Sequence, residues 1–502
     1  MDESYLPALS GDEIATLGEQ FDIRVYDGER DELESSLQNW LSDIDDLYAF
    51  PVDSTASSGD RTWWEPTDDP HRAIATWCAV EPTADHGDLL AGVTVGLKDN
   101  ILVSGVPMTC GSQAMKGFVP NADATVVERL REAGATIAAK TNLSEFAAVL
   151  LSANKGPVTN PHDTERIAGP TSSGSAVAVA TELVDVALGT DTGGSVRIPA
   201  SFCGVVGHKP TYGLVPLDGV VENTYTQDHV GQFARTVADT ARVLEALAGP
   251  ADCDPASLQA AGREEYRLGD YVGTVDSPPA PETLTIGVLE EGFGEGVADR
   301  VEETVETALD AVEAAGATVE PVSIPSFEYA RPIKKVLSLT ELAAHWRAGG
   351  APYRRGGVVE ESYQVSFANR TRAASGELQV PYKSKLLAGA HLISNHGGRH
   401  YTRAQAAREV LADDVDDALT SVDVLAFPTT PTVAPAVDDV REFETLEFDL
   451  ARNTRLADVT RHPALSLPAG TVEDLPVGLQ LLGPQFHDET VFGVAAAVES
   501  IV

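Results

Sequence analysis

Gly189-Thr190-Asp191-Thr192-Gly193-Gly194-Ser195-Val196-Arg197-Ile198-Pro199-Ala200 follows directly on Val184-Asp185-Val186-Ala187-Leu188. The apolar run predicts a strand, and the glycines behind it predict a tight turn that the strand delivers. A hydroxyl that directly follows two glycines approaches a carbonyl closely, because glycine permits positive φ and presents a bare N–H. Ser195 is therefore the candidate nucleophile, with Thr192, Gly193 and Gly194 as donors to an oxyanion and Asp191 and Arg197 as braces of the loop. Upstream, Gly92-Val93-Thr94-Val95-Gly96-Leu97 reads as a second strand with Lys98 at its end, where burial makes a neutral amine accessible as a base. Ser195 lacks the flanking Gly-x-Ser-x-Gly elbow, so a Ser-His-Asp triad is not expected. His208 and His462 read as structural.

Outward from this pair, strand-like and helix-like runs alternate, which argues for an α/β sheet. Asp123 is expected to cap a helix through Val126, Val127 and Leu130 that ends at Gly134, ahead of a strand at 136–139. The small residues 176–181 suit a tightly packed helix. Residues 250–282 read as a surface excursion, 283–289 as a strand, 301–315 as a long helix, 330–415 as a mainly helical insertion, and 422–427 as a return to the sheet. Residues 1–70 read as an N-terminal helical extension and linker. In it Leu33, Leu37, Trp40, Leu41, Ile44 and Leu47 form an apolar stripe that wants either its own core or a homodimer face. A polar connector at 51–70 marks the boundary, with Trp63 and Trp64 expected to dock onto a neighbouring surface.

The 502 residues carry 77 acidic against 35 basic side chains, a net charge of −42. Self-repulsion of that size destabilises a compact state at low salt. At ~1 M ionic strength the Debye length falls to about 3 Å, and a dispersed acidic surface becomes tolerable. The acids are dispersed, as in Asp43-Ile44-Asp45-Asp46, Asp413-Asp414-Val415-Asp416-Asp417 and Asp438-Asp439, so a halophilic protein of a salt-rich cytoplasm is expected. The same charge argues against nucleic acid as a partner. No apolar run reaches the length of a membrane span, and Met1-Asp2-Glu3-Ser4 has no basic leader character. Cys78, Cys110, Cys203 and Cys253 are scattered, suggesting buried free thiols and neither disulfides nor a zinc site.

Together with Gly96-Leu97-Lys98-Asp99-Asn100-Ile101, the Ser195 segment resembles the amidase signature family over about 90–245. The likeness resumes at Asp458-Val459-Thr460-Arg461-His462-Pro463-Ala464-Leu465-Ser466-Leu467-Pro468-Ala469-Gly470 and Leu475-Pro476-Val477-Gly478-Leu479-Gln480. The resemblance implies a mixed, largely parallel sheet flanked by helices over 71–502, and a triad of a lysine, a serine in a cis peptide and a nucleophilic serine. Carried over, Lys98 is the base and Ser195 the nucleophile. The family's Gly-Gly-Ser-Ser-Gly-Gly-Ser segment stands here as Gly169-Pro170-Thr171-Ser172-Ser173-Gly174-Ser175, so Thr171 falls on the cis-serine position and Ser172 is the alternative relay. Glu145 resembles a structural position.

Within the family, the N-terminal helices and Glu291-Gly292-Phe293-Gly294 look most similar to stand-alone amidases of nitrile metabolism. That likeness implies hydrolysis of a small carboxylic acid amide to the acid and ammonia through an acyl-enzyme on Ser195, with no metal or organic cofactor. Its partner would be a small-molecule amide, with neither nucleic acid nor a membrane. The alternative is the A subunit of a glutamyl-tRNA(Gln) or aspartyl-tRNA(Asn) amidotransferase, which shares the triad and delivers ammonia to a partner protein. Thr171 is also compatible with a catalytically dead scaffold. The pocket walls are expected from 140–155, 220–230 and 330–400.

Overall fold

The computed structural model describes residues 9–41, 44, 47, 61–150, 152, 154–351, 353, 360–442 and 449–502. Residues 51–60 of the expected connector lie outside them, as do Asp43, Asp45 and Asp46 of the first acidic run and 151, 153, 352 and 354–359 of the expected pocket walls. The chain divides into two compact units, Met1–Thr55 and Ala56–Val502.

In the first unit, Ser10 and Glu13 form a reciprocal capping box at the head of the helix Gly11–Gln20. The following helix, Arg30–Leu41, carries Leu33, Leu37, Trp40 and Leu41 of the apolar stripe and buries none of its residues. Trp40 is 80% exposed.

The second unit is built on one sheet. Its strands are β1 (Thr62–Trp64), β2 (Ile74–Val80), β3 (Thr94–Lys98), β4 (Thr136–Thr141), β5 (Val186–Asp191) and β6 (Val206–Lys209). They continue with β7 (His229–Ala234), β8 (Thr285–Leu289), β9 (Thr318–Val322), β10 (Val424–Pro428), β11 (Ala464–Val472) and β12 (Leu475–Leu482). The twelve strands run in the order β1-β2-β4-β3-β5-β7-β6-β11-β12-β10-β8-β9. The sheet is mixed, as expected, but it is not largely parallel: seven of the eleven pairings are antiparallel. The long β11–β12 hairpin and the return of β7 between β5 and β6 produce the excess, because hairpins need no crossover helix. The parallel trio β4-β3-β5 holds the site.

Alternation along the strands sends side chains to two faces. Val186 and Leu188 join the core beneath the helices Thr125–Glu132, Val237–Leu247 and Asp488–Glu499, while Ala187 joins a second cluster with the helix Ser173–Ala180. That second helix lies close to the sheet: a Cβ on Gly174 would meet Ala73 O at 2.5 Å. Between β9 and β10 the chain forms the helices Ala330–Arg347, Glu361–Ala373, Val380–His396 and Arg399–Leu419.

Several local expectations are corrected. Asp123 does not cap the helix Thr125–Glu132, whose N-cap is Ala124. Its carboxylate binds Arg61 at 2.5 Å, Arg131 at 3.2 Å and Ser104 N at 2.8 Å, so two arginines and a backbone amide took the acceptor that a local cap would have used. Trp63 and Trp64 belong to edge strand β1, so the sheet begins before residue 70. Residues 250–282 are not wholly superficial, since two short helices form and Tyr271 is buried against the core. Cys78, Cys110 and Cys203 are buried free thiols, while Cys253 is only half-buried.

Candidate active site

β3 and β5 are parallel neighbours, so their carboxyl ends lie side by side. Lys98 ends β3, and the Ser195 turn follows β5, which brings together two segments nearly a hundred residues apart. The Lys98 side chain is fully buried and donates to Thr171 Oγ1 at 2.7 Å, Thr190 Oγ1 at 2.7 Å and Thr190 O at 3.3 Å. Burial pulls its pKa down to about 7, against the opposing fields of Asp191 and Asp228. An amine in that state gives up and takes a proton near neutrality, as a base for a serine must.

Thr171 and Ser172 precede the helix Ser173–Ala180 and have different surroundings. Thr171 faces Lys98, whereas Ser172 Oγ donates to Thr190 O at 3.1 Å and accepts from Thr190 N at 3.2 Å. Ser172 is thus tied to the backbone of β5. The cis peptide implied at this point is not formed: no cis bond occurs among the described residues, and Thr171 reaches Lys98 with φ at 20°.

The Ser195 turn is held from behind. Asp191 accepts from Gly194 N at 2.5 Å and Val196 N at 3.1 Å. Burial acts to raise this carboxyl, but Arg197 overcomes it and holds Asp191 well below the usual carboxylate range. Arg197 is itself fully buried, with Nη2 2.8 Å from Asp458 Oδ2 and Nη1 on Thr454 O and Gln480 Oε1 at 2.8 and 2.7 Å. Asp191 and Arg197 therefore brace the loop. Gly194 sits at φ 109°, where a Cβ would run into Thr454 Oγ1, so only glycine fits.

The oxyanion expectation needs one correction, at Gly194. Its N–H is turned inward onto Asp191 and is not free for a ligand. Thr192 and Gly193 remain; Thr192 is fixed through its hydroxyl, which donates to Asp228 Oδ1 at 2.6 Å, and both line the cleft with Thr171 and Ser195.

That cleft also takes residues from the expected wall loops, Ala147, Ala148, Asn223 and Lys385 among them. Ala451 and Arg455 join it from outside those loops. His208 lies in the core bonded to Gln232, and His462 is bonded to Thr460 and Asp416, in keeping with structural histidines. Glu145 likewise joins Ser112 Oγ at 2.7 Å to Gln379 N at 2.8 Å. Sequence reasoning missed Asp228, Asp458, Thr190 and Thr454 as parts of the site. Asp228 had one available signal, a lone acid immediately before an apolar strand, but Thr454 and Asp458 reach the loop from more than 250 residues away.

The fold and this lysine–hydroxyl–serine cleft define the class. Residues 71–492 match the family described as Amidase, and the chain belongs to it, an enzyme family acting on C–N amide bonds. The chain is similar to the A subunit of glutamyl-tRNA(Gln) amidotransferase of Halobacterium salinarum, 40% identical over 431 residues that make up 85% of this chain and 99% of that one. The corresponding protein of Natronomonas pharaonis is also 40% identical, over 85% of this chain and 99% of the relative. Among solved structures, the A subunit of the same enzyme from Thermotoga maritima superposes with a TM-score of 0.70 at 31% identity, covering 86% of this chain and 88% of that one. The peptide amidase of Stenotrophomonas maltophilia gives a TM-score of 0.69 at 33% identity, covering 82% of each chain.

These relatives overturn two expectations. The stand-alone amidase of nitrile metabolism gives way, because relatives matched over nearly their whole length are named as amidotransferase subunits. The expected partners, a small-molecule amide alone and no nucleic acid, fail on the same names, which specify one component of a larger enzyme together with a tRNA. The charge argument misled for a physical reason: net charge describes the whole surface and says nothing about what a partner protein holds. Among the described residues no helix is long and apolar enough to cross a membrane.

Proposed function

We propose that this chain is the amide-cleaving component of an aminoacyl-tRNA amidotransferase of the glutamyl-tRNA(Gln) type. What carries the reading is the 40% identity to such a component over 99% of that relative's length. In this reading neutral Lys98 takes the proton of Thr171 as Thr171 takes that of Ser195, and Ser195 Oγ attacks the amide carbonyl carbon. The amides of Thr192 and Gly193 receive the developing oxyanion. The C–N bond then breaks, the proton returns through Thr171 to the leaving nitrogen, and ammonia departs to the partner that holds the charged tRNA. Water hydrolyses the remaining acyl-enzyme. Ser172 holds the backbone and is not the relay. The 77 acidic and 35 basic residues support a salt-rich cytoplasm as the place of work.

The test combines the chain with the other amidotransferase subunits of the same cell and glutamyl-tRNA(Gln). Amidated tRNA should form with the native chain and not with Ser195→Ala. Ammonia release at full rate with no amidated tRNA in the complete mixture overturns the proposal.

A further inference from the structure

A second cavity shares no lining residue with the Ser195 cleft. It measures about 370 Å³ and lies between the helices Pro255–Ala261 and Arg399–Leu419 and the end of the helix Arg455–Thr460. Arg408 and Arg461 line it, and neither forms an ion pair among the described residues. Arg408 is 1% exposed. Its Nη1 donates to Gln405 Oε1 at 3.1 Å and its Nη2 to Thr226 Oγ1 at 3.2 Å, both neutral acceptors, and its buried Nε has no acceptor. Glu341, whose field reaches Arg408, stands beyond ion-pair distance and accepts from Thr226 and Tyr401 instead. Arg461 is half-buried with its guanidinium 4.9 Å above the Tyr212 ring, and its Nε is likewise buried without an acceptor. Burial and the field of Arg461 pull Arg408 down to about 10. Buried cations without a counter-charge are costly, and an arriving carboxylate relieves that cost.

The rim of the same cavity has the opposite sign. Glu409, Asp413 and Asp416 are exposed there, each four or fewer residues from the next on one helix. Asp416 is bonded to His462 Nε2 at 3.0 Å, whereas Glu409 and Asp413 form neither a hydrogen bond nor an ion pair among the described residues. Arg263, also on the rim, is taken by Glu265 and Gln485. A simple anion would suit the floor and be repelled at the rim, and a cation would meet the reverse. One molecule that carries both charges answers both. Between floor and rim, Tyr212, Ala256, Ala260 and Ala412 leave a small apolar wall for a short hydrocarbon group.

We propose that this cavity binds a small zwitterion, an α-amino acid with a short aliphatic side chain. Its carboxylate lies on Arg408 and Arg461, whose planar forks match a carboxylate, and its ammonium faces Glu409 and Asp413. The proposal is independent of which group cleaves the amide.

Three probes of one carbon skeleton separate the charges: L-valine, 3-methylbutanoate, which is valine without the ammonium, and isobutylamine, which is valine without the carboxylate. None has an amide for Ser195 to attack. In calorimetric titration of the full chain in molar KCl, valine should bind about tenfold or more tightly than either, the discrimination that one charge-assisted hydrogen bond supplies. Arg461→Met should weaken valine about tenfold or more, and Arg461→Lys should weaken it less. Glu409→Gln combined with Asp413→Asn, both on the exposed rim, should bring valine down to the level of 3-methylbutanoate, and this variant tests the site even where Arg461→Met unfolds. Absence of saturable valine binding, equal binding of 3-methylbutanoate or isobutylamine to the native chain, or a valine affinity unmoved by folded Arg461→Met or by the rim variant overturns the proposal.

Discussion

Changing pH tests Lys98 directly. The rate at which Ser195 reacts with a fluorophosphonate should rise tenfold per pH unit below about 7 and level off above it. Burial brings the amine down to about 7. At pH 7 about half the molecules then hold a neutral base, against about one in 2,500 for an ordinary lysine near 10.4. Burial therefore supplies a ~10³-fold gain in competent base, on the order of 4–5 kcal/mol at 1.36 kcal/mol per unit. The field of Asp228 opposes that shift by favouring the charged amine. Asp228→Asn removes the negative charge, so its midpoint should move to lower pH. The assay is the labelling rate between pH 5.5 and 10 at fixed molar KCl. A flat profile, or a rate still climbing at pH 10, would refute the claim that a buried, neutral Lys98 is the base.

Lys98→Ala should lose at least ~10³-fold in amide turnover while staying folded by circular dichroism, and Lys98→Arg should fare no better, because guanidinium keeps its proton. Near-normal turnover by either removes Lys98 from the chemistry. Thr171→Ser should retain activity and Thr171→Val should approach the Lys98→Ala defect, whereas Ser172→Ala should cost about tenfold or less in turnover and ~1 kcal/mol in stability for its bonds to Thr190. The reverse ranking makes Ser172 the relay. Dialysis from molar KCl to dilute buffer should lower the melting temperature and abolish activity, since 77 acids then repel one another unscreened; an unchanged melting temperature rejects halophily.

Much of this site was legible because the chemistry lies in local sequence. The run of small and apolar residues that ends at Gly193-Gly194-Ser195 specifies a strand and a turn without outside help, and the register of 169–175 selected Thr171, the hydroxyl that faces Lys98. The misread features depend on distant partners. Asp123 has the chemistry of a cap, and only the fold shows that Arg61 and Arg131 claim it. Gly194 has the chemistry of an oxyanion donor, but the Asp191–Arg197 pair draws its N–H inward. The direction of the strands escaped in part for a similar reason, since β11 pairs antiparallel with β6, a strand far away in sequence.

The central claim is that Ser195, primed through Thr171 by Lys98, is the group that attacks the amide. Peptide mapping by mass spectrometry after treatment with a fluorophosphonate tests it most directly. One adduct per chain is expected on Ser195 of the peptide spanning 189–200, absent from Ser195→Ala and formed ~10³-fold more slowly in Lys98→Ala. An adduct on Ser172 or another serine, or equal labelling of Ser195→Ala, would contradict the account.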